Sequence, residues 1–408
     1  MGRLLRHRDA RIYMAGQTLS TIGDNSLWLA MGIWVKIITH SNGAAGLVFF
    51  FFVAGLTLAP VTGLLVDRVR RRPLAAGTNL LAAALVCALL LVHGSGQIWL
   101  IYTVMFGYGV INALLTSAQT ALVPALVPDD LLGEANALLQ IGSQGMRIFT
   151  PLIGAGLLAW VGADPVILLD AATFVIAAGC LVALSLREDR PVPAGTSWWH
   201  EVTAGIRYTW HLPVLRKMLV TTVLALTVIG FMETIVFAIV SQGLHRPPTF
   251  LGVLEAVQAA GAIVAGILVA AVMKRIGEVR TVGAAILLIG AGCLLMMTSS
   301  LAIVMAGCVV LGASIVWCNV AAITLIQRRT RPELMGRVDA ALTLASTGPQ
   351  AVSIAVGAAL ITAVSYRLLL AAIAAMMVVC CVYWLSGQER EPVDAQEAGT
   401  SKVNSLAV

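Results

Sequence analysis

The sequence predicts an all-α integral membrane protein with twelve transmembrane helices in two pseudo-symmetric six-helix halves. The first observation is composition: 59% of the 408 residues are hydrophobic, 11% are charged, and the mean hydropathy is +0.92. Soluble globular proteins are about 45–50% apolar and about 25% charged, so we expect the apolar excess to face lipid. The other two observations are the spacing of the apolar segments and a repeat between the halves.

Apolar segments long enough to cross a bilayer recur along the whole chain. A hydrocarbon core about 30 Å thick needs about 20 apolar residues in a helix. Reading the apolar runs against turn-forming and charged residues gives twelve candidate spans. They are 12–38, 44–66, 74–93, 98–122, 134–160, 164–186, 213–241, 250–273, 280–299, 301–326, 337–364 and 365–386.

Lysine and arginine are distributed unevenly among the loops. With the N-terminus placed in the cytoplasm, 22 of the 26 basic residues fall in cytoplasmic segments, and the exceptions are Lys36, Arg147, Arg246 and Arg367. Because basic residues are enriched in cytoplasmic loops, this predicts a multi-pass protein of a bacterial-type inner (plasma) membrane with both termini in the cytoplasm. No basic patch is interleaved with aromatic residues, so the net charge of +6 does not indicate a nucleic-acid partner.

The longest break between apolar segments, at 187–212, separates an N-terminal half (1–186) from a C-terminal half (213–386). Within the break, Trp198, Trp199 and Trp210 lie among charged residues, a pattern typical of an amphipathic helix on the cytoplasmic membrane surface. The tail, 387–408, is polar and is predicted to be disordered.

The loops of the two halves repeat. Gly133 follows Pro-Asp-Asp-Leu-Leu after the fourth span, and Gly336 follows Pro-Glu-Leu-Met after the tenth, 203 residues later. Arg68 and Arg275 follow the second and eighth spans, 207 residues apart. Two similar six-helix halves with a substrate between them is a known transporter plan. Because each chain holds both halves, we expect a monomer.

Four passages in order carry a family resemblance: 63–72, 147–156, 169–174 and 201–217. They resemble the major facilitator superfamily, in the branch of twelve-span drug:proton antiporters that includes macrolide-efflux and siderophore-exporter proteins. Arg70 stands where that family usually has glycine, and Thr150 precedes a proline where the family prefers glycine. The resemblance implies proton-coupled efflux of an amphipathic small molecule such as a drug, an antibiotic or a siderophore.

Two of these passages supply candidate moving parts. The resemblance implies a gating loop after the second span, in which Asp67 pairs with a basic residue in one conformation only. The span-5 motif contains a proline and two glycines that allow bending and close helix approach. The gating residues are Gly63, Asp67, Arg68, Arg71 and Arg72, and the span-5 residues are Pro151, Gly154 and Gly156.

Three ionisable residues lie deep inside predicted spans. Asp24 is near the middle of the first span, Glu233 follows it by about one repeat length, and Arg147 is in the fifth span. A charged side chain at helix centre costs about 2.5–3.5 kcal/mol on insertion scales, so such residues usually face a cavity or a partner. We interpret them as proton-coupling candidates, and the alternative is structural pairing, including Arg147 with Asp24.

Polar and aromatic residues at helical spacing are candidates for the lining of a substrate cavity. The alternative for each is an ordinary interhelical hydrogen bond, worth under about 1–2 kcal/mol. Asp170, near the start of the sixth span, is expected to face the outer interface. The cavity candidates are Gln17, Thr21, Trp28, Asn112, Thr116, Gln144, Glu255, Gln258, Thr343 and Gln350.

The sequence also bounds the alternatives. It contains no nucleophile elbow, no His-Glu-x-x-His and no Walker-type loop, so an integral-membrane enzyme is the least favoured interpretation and ATP is not the direct energy source. No cofactor and no metal site are predicted; the seven cysteines lie in apolar spans. An importer, a facilitator or a lysolipid flippase of the same fold remains open beside efflux.

Overall fold

The computed structural model describes residues 7–66, 68–127, 131–185, 207, 210, 213–329 and 335–386. These residues form thirteen α-helices and no strand. The first half contains α1 (Arg8–Thr39), α2 (Asn42–Leu56), α3 (Ala59–Val66), α4 (Arg71–Cys87), α5 (Ile98–Leu126), α6 (Leu132–Trp160) and α7 (Asp164–Val182). The second half contains α8 (Pro213–Ala238), α9 (Leu251–Ile276), α10 (Glu278–Leu295), α11 (Leu301–Arg329), α12 (Met335–Ala363) and α13 (Tyr366–Leu385).

The helices coincide with the predicted spans, and the second span is divided into two. The break between α2 and α3 lies at Thr57 and Leu58, where the Thr57 hydroxyl donates to the Ala54 carbonyl at 2.6 Å. Pro60 is the second residue of α3, a position at which the missing N–H of proline costs no helical hydrogen bond. The predicted surface helix within 187–212, apart from two helical positions at 207 and 210, lies outside the described residues, as does the tail.

Eight helices of the described part are long and apolar enough to cross a membrane: α4, α5, α7, α8, α9, α10, α11 and α13. The predicted count of twelve is thus confirmed for eight spans. Helix α2 is apolar but short. Helices α1, α6 and α12 are long but carry polar residues such as Asp24, Arg147 and Gln350. Helix α1, which carries Asp24, is thus among the helices that do not reach this hydropathy.

The same helix pairings occur in both halves. In the first half α1 packs on α6 and α7, α2 packs on α5, and α4 packs on α5 and α7. In the second half α8 packs on α12 and α13, α9 packs on α11, and α10 packs on α11 and α13. Each half therefore repeats the arrangement of the other, as the similar loops suggested.

Glycines allow the backbones of one such pair to touch in each half. A side chain at Gly109 of α5 would overlap the Phe52 carbonyl of α2. In the second half, a side chain at Gly312 of α11 would overlap the Gln258 carbonyl of α9. Small residues permit this kind of close packing between membrane helices. Gly109 and Gly312 are 203 residues apart, the same offset as the repeated loops.

The two ends of the helix bundle can be told apart from contacts between helix ends. We call the end where α1 begins the near end: there Arg8 donates to Ser185, just after α7, at 3.2 Å, and Lys217 of α8 bonds to the Ser386 carbonyl, after α13. We call the opposite end, with the α1–α2 turn, the far end. The Ser241 hydroxyl, just after α8, lies 3.5 Å from Asn42 Oδ1 at the far end, so α8 begins at the near end. The start of α1 and the end of α13 thus lie on one side, as an even number of spans requires.

The halves join mainly towards the far end. Helix α2 packs on α12, and α6 packs on α9. The Phe49 ring of α2 stacks on the Phe237 ring of α8, with centroids 6.0 Å apart. Gly252 of α9 lies so close to α6 that a Cβ there would be 2.8 Å from the Pro151 carbonyl oxygen. The far end of the bundle is therefore closed between the halves.

Candidate functional site

A polar pocket lies inside the first half, among α1, α4, α5 and α7, and has about 540 Å³ of empty volume. It runs from the middle of the bundle towards the near end, because its α1 residues lie between Tyr13 and Asp24 and its α4 residues are Ala75 and Asn79. The polar side chains of its lining are Tyr13, Gln17, Ser20, Asp24, Asn79, Tyr108, Asn112, Thr116 and Gln119.

Helical spacing explains why two helices supply most of this lining. Residues three, four, seven or eleven positions apart share one face of a helix. On α1 the spacing places Tyr13, Gln17, Ser20 and Asp24 on one stripe, and on α5 it does the same for four pocket residues starting at Tyr108. The polar stripes read from the sequence therefore meet across one space.

Three side chains form the deepest part of the site. The Tyr108 hydroxyl lies 2.6 Å from Asp24 Oδ1 and 3.3 Å from Asp170 Oδ2. Asp170, on α7, is completely buried, and Tyr108 is 2% exposed. Ser20, one turn before Asp24, also hydrogen-bonds to the Asp24 carboxyl. A phenol thus connects two carboxyl groups that come from different helices.

Close packing of α1 on α7 brings the two acids together. A Cβ added at Gly23 would lie 2.5 Å from Asp170 Oδ1 and 3.0 Å from the Asp170 Cα. A Cβ at Gly16, two turns earlier, would lie 2.9 Å from the Cys180 Cβ. Because these glycines have no side chain, α1 approaches α7 closely enough for the Asp24 and Asp170 carboxyl groups to share Tyr108.

The electrostatics of this site are those of acids without described basic partners. Asp24 and Asp170 each hydrogen-bond to Tyr108, and among the side chains that the structure describes neither forms a salt bridge. The Asp170 Oδ1 atom is buried and has no hydrogen-bond partner. The side chain of Arg147, on α6, lies outside the described residues. The site can therefore hold a proton or, from the pocket side, a cationic group.

The predicted proton-coupling and cavity residues are distributed over several places. Gln17, Asn112 and Thr116 line the pocket with Asp24. The Thr21 hydroxyl donates to the Gln17 carbonyl at 2.9 Å, within α1. Trp28 is outside the pocket lining and packs against Phe49, with ring centroids 4.5 Å apart.

The candidates of the second half lie away from this pocket, whose described lining comes from the first half alone. Their side chains are partly buried: Glu233 lies on α8, Glu255 and Gln258 lie on α9, and Gln350 lies on α12. Gln144 and Thr343 have, like Arg147, side chains outside the described residues.

The span-5 motif sits where α6 meets both α1 and the second half. The Ser26 hydroxyl of α1 donates to the Thr150 carbonyl at 3.1 Å, and Gly154 lies directly against the Ser26 backbone. On the other side, Pro151 lies against Gly252 of α9. Gly156 of the motif has no neighbouring atom within 4 Å of an added Cβ. The motif therefore forms a three-helix contact through its first part.

The candidate gating loop is described in part. Arg72, at the start of α4, donates to the Leu181 carbonyl at 2.8 Å and to the Val182 carbonyl, both at the end of α7. A cation is favourable there because the carbonyl ends of a helix carry partial negative charge. Asp67 lies outside the described residues. Arg68 is exposed, Gly63 has open space around it, and Arg71 is the first residue of α4.

Sequence reasoning missed one member of the site. The expectation that Asp170 faces the outer interface is wrong, because this residue is completely buried against α1 and α5. The contact of Tyr108 with both acids was not predicted either. The glycine immediately before Asp24 was the available signal, since small residues in membrane helices allow close helix approach.

Comparison with known proteins gives a family match. A family model described as Major Facilitator Superfamily matches residues 13–338 and 222–407. The chain is 23% identical over 335 residues to Macrolide efflux protein A of Streptococcus pyogenes, covering 79% of this chain and 82% of that protein. It is 23% identical over 254 residues to the uncharacterized MFS-type transporter YfiS of Bacillus subtilis, covering 61% of this chain and 60% of that protein.

Solved structures show the same fold at low identity. A bacterial homologue of the iron transporter ferroportin in the inward-facing state gives a TM-score of 0.71 at 15% identity, covering 93% of this chain and 98% of that chain. The same type of homologue in the outward-facing state gives 0.64 at 16% identity, covering 94% and 100%. The nucleoside transporter NupG gives 0.76 at 10% identity, covering 93% and 99%. Among the described residues of the present chain, no group of three or more His, Cys, Asp or Glu side chains could hold a metal ion.

Proposed function

Because this chain belongs to the Major Facilitator Superfamily, we propose that it is a secondary active transporter that exports an amphipathic small molecule in exchange for protons. The family assignment confirms the predicted fold class and identifies a multi-pass membrane transporter rather than an enzyme. The observation that carries the proposal is the polar pocket around Asp24, which lies inside the helix bundle of the first half.

The lining of the pocket supports an amphipathic substrate. Small-molecule sites usually combine apolar walls with a few polar groups. The lining of this pocket has that composition, with Phe174, Leu115 and Leu122 among its apolar residues. Asp24 is the acid in its lining, so a molecule with a cationic group complements the site. The similarity to Macrolide efflux protein A supports macrolides as the first class to test.

The shape of the bundle supports export from the near end. The halves are in contact towards the far end, where Phe49 stacks on Phe237, while the pocket extends towards the near end. The distribution of lysine and arginine favours a cytoplasmic near end, with both termini in the cytoplasm. In that orientation the described conformation is loaded from the cytoplasm.

Proton coupling needs an acid that changes protonation during the cycle. Asp24 lines the pocket, so a proton and a cationic substrate would compete for the same carboxylate, which is the requirement for antiport. Glu233, in the second half of the chain, remains a candidate for a further proton-carrying acid. Arg147 remains a candidate for balancing the charge of an acid. We propose that the protein works as a monomer, since the described pocket is formed within one chain.

The test is transport in sealed proteoliposomes with an imposed proton gradient. The probes are erythromycin, a macrolide, and tetraphenylphosphonium, a lipophilic cation. We expect gradient-dependent accumulation that a protonophore abolishes, and we expect Asn112→Leu to raise the half-saturating concentration about 10-fold. That change corresponds to about 1.4 kcal/mol, the size expected for one lost hydrogen bond in a buried site.

The matched control is Asn319→Leu. Asn319 occupies α11, the repeat partner of α5, but it is exposed and its amide donates to the Ile315 carbonyl of its own helix. Export is contradicted if both asparagine variants behave alike or if uptake continues without a proton gradient. Gradient-independent equilibration would identify a facilitator, and movement of a labelled lysolipid between leaflets would identify a flippase.

A further inference from the structure

We infer that Asp170, Tyr108 and Asp24 form one proton-binding site in which two carboxyl groups share a single proton. The coupling role of this site rests on the proposed function, whereas its proton content does not. Asp170 was not among the candidates read from the sequence, and it shares the Tyr108 hydroxyl with Asp24.

Tyr108 has one hydroxyl hydrogen and two carboxyl groups within reach. A phenol can donate one hydrogen bond and accept others, whereas an ionised carboxylate can only accept. The shorter contact, 2.6 Å to Asp24 Oδ1, is the one that Tyr108 donates. The contact of 3.3 Å to Asp170 Oδ2 then has a hydrogen only if Asp170 supplies it. A protonated Asp170 donates to Tyr108, Tyr108 donates to an ionised Asp24, and each contact has one hydrogen.

Charge leads to the same distribution of protons. Asp170 is completely buried, and a charge taken out of water is costly unless it is paired. Two carboxylates that share one site cannot both ionise easily, because each negative charge opposes the other. The pair is therefore expected to carry one negative charge and one proton at neutral pH.

Among the described side chains, no basic group forms a salt bridge with either acid. Helices α1, α4 and α5 pack on α7, and α6 packs on α1. Asp170 Oδ1 is buried without a hydrogen-bond partner, which fits a group that is protonated on its other oxygen. Other titratable or charged groups on the elements that surround the pair are Arg8, Asp9, Arg11, Tyr13 and Lys36 of α1, Arg71, Arg72 and Cys87 of α4, Tyr102 of α5, Glu134 and Arg147 of α6, and Asp164 and Cys180 of α7.

The two acids differ in their access to the pocket, and this difference gives the site a direction. Asp24 lines the pocket and Asp170 does not. The proton of Asp170 can pass to the Tyr108 oxygen while the Tyr108 hydrogen passes to Asp24, which leaves an ionised Asp170, an unchanged phenol and a neutral Asp24. Protons are conserved in this step, and the proton leaves the site through Asp24. Asp170 thus holds the proton, Tyr108 connects the two carboxyl groups, and Asp24 releases the proton to the pocket.

Infrared difference spectroscopy tests the proton content directly. Purified protein in detergent, without any substrate, is compared at neutral and alkaline pH for the carbonyl stretch of a protonated carboxyl group. We expect a signal that is equivalent to one buried proton at neutral pH and that is lost in Asp170→Asn. The amide keeps the size of the side chain and can still donate to Tyr108, so Asp24 is free to ionise. Asp164→Asn, an exposed acid at the start of the same helix, is the control and keeps the signal.

A second variant keeps the test decisive if Asp170→Asn folds poorly. Tyr108→Phe removes the hydroxyl but retains both acids, so the proton signal is expected to persist and to move in frequency because its hydrogen bond is gone. Two protonated carboxyl groups at neutral pH, none, or a signal that survives Asp170→Asn would each overturn the shared-proton site.

Transport separates this inference from the proposed function. In proteoliposomes, Asp170→Asn is expected to lose proton-driven erythromycin accumulation and to retain exchange of erythromycin across the membrane without a gradient. If wild-type protein moves none of the probes but shows the single-proton signal, the efflux proposal fails and the proton site stands. If wild-type protein is proton-coupled and Asp170→Asn is coupled equally well, the site fails and the efflux proposal stands.

Discussion

The contact between Gly252 of α9 and α6 predicts how the far end of the transporter can be forced open. A Cβ at position 252 would lie 2.6 Å from the Ala155 Cβ and 2.8 Å from the Pro151 carbonyl oxygen. Ordinary contacts of this kind are about 3.4–4 Å, so Gly252→Ala requires the helices to separate by roughly 1 Å. Overpacking of a close contact typically costs about 1–3 kcal/mol.

This cost falls only on the conformation in which α6 and α9 are in contact. A conformation with an open far end separates the two helices and accepts the methyl group without strain. A differential cost of about 1–3 kcal/mol shifts a two-state equilibrium by about 5–150-fold. Gly252→Ala is therefore expected to enrich the far-end-open conformation by that factor, with little change in the packing within each half.

Electron paramagnetic resonance distances between the halves measure this shift. Spin labels at His40→Cys and Gln242→Cys, both exposed near the far end, report its opening. The unmodified chain is the labelling control, because its seven cysteines are buried or partly buried. Gly266→Ala, on the same helix, is the matched variant, since its nearest neighbouring atom would be 3.9 Å away. Equal distance distributions in both glycine variants would refute the reasoning.

Two further substitutions test the near side of the first half. Gly23→Ala is expected to separate α1 from α7 and to abolish proton-driven transport, whereas Gly179→Ala, with open space around it, is expected to leave transport intact; equal transport by both variants would contradict the close approach. Arg72→Gln removes the hydrogen bonds to the end of α7. Hydrogen bonds to a charged group contribute about 1.5–3 kcal/mol, and because this site is partly exposed we expect the free energy of unfolding to fall by at most that amount. Arg70→Gln, at an exposed position, is the control, and equal melting temperatures would exclude this role for Arg72.

The sequence predicted the architecture well because the bilayer imposes simple rules. Apolar segments of sufficient length must be helices, and similar loops at a constant offset indicate repeated halves. The break at Thr57 was not predicted, because hydropathy does not change there. The break depends on the position of Pro60 at the start of α3 and on the hydrogen bond from the Thr57 hydroxyl to the Ala54 carbonyl, which become visible only in the structure.

The sequence predicted which site residues share a face of one helix, but it did not predict which residues of different helices contact one another. Periodicity placed Gln17 and Asp24 on one stripe, and the structure assembles that stripe into the pocket. Trp28 shares the stripe but packs against an α2 phenylalanine, because α1 has neighbours on several sides along its length. Asp170 was misplaced because depth in the bundle depends on how closely α7 approaches α1, which no property of α7 alone specifies.

The polar stripe of α1 has a consequence for biogenesis. With Asp24 and its amide neighbours, α1 does not reach the hydropathy of the eight helices that can span a membrane by composition alone. Its neighbour α7 contributes Asp170 and Cys180, which are synthesised about 150 residues later. A translocon that releases helices in order of synthesis therefore inserts α1 before α7 has been synthesised. Stable insertion of α1 thus depends on completion of the first half. In truncated chains that end before α7, we expect α1 to be inserted less stably in the bilayer.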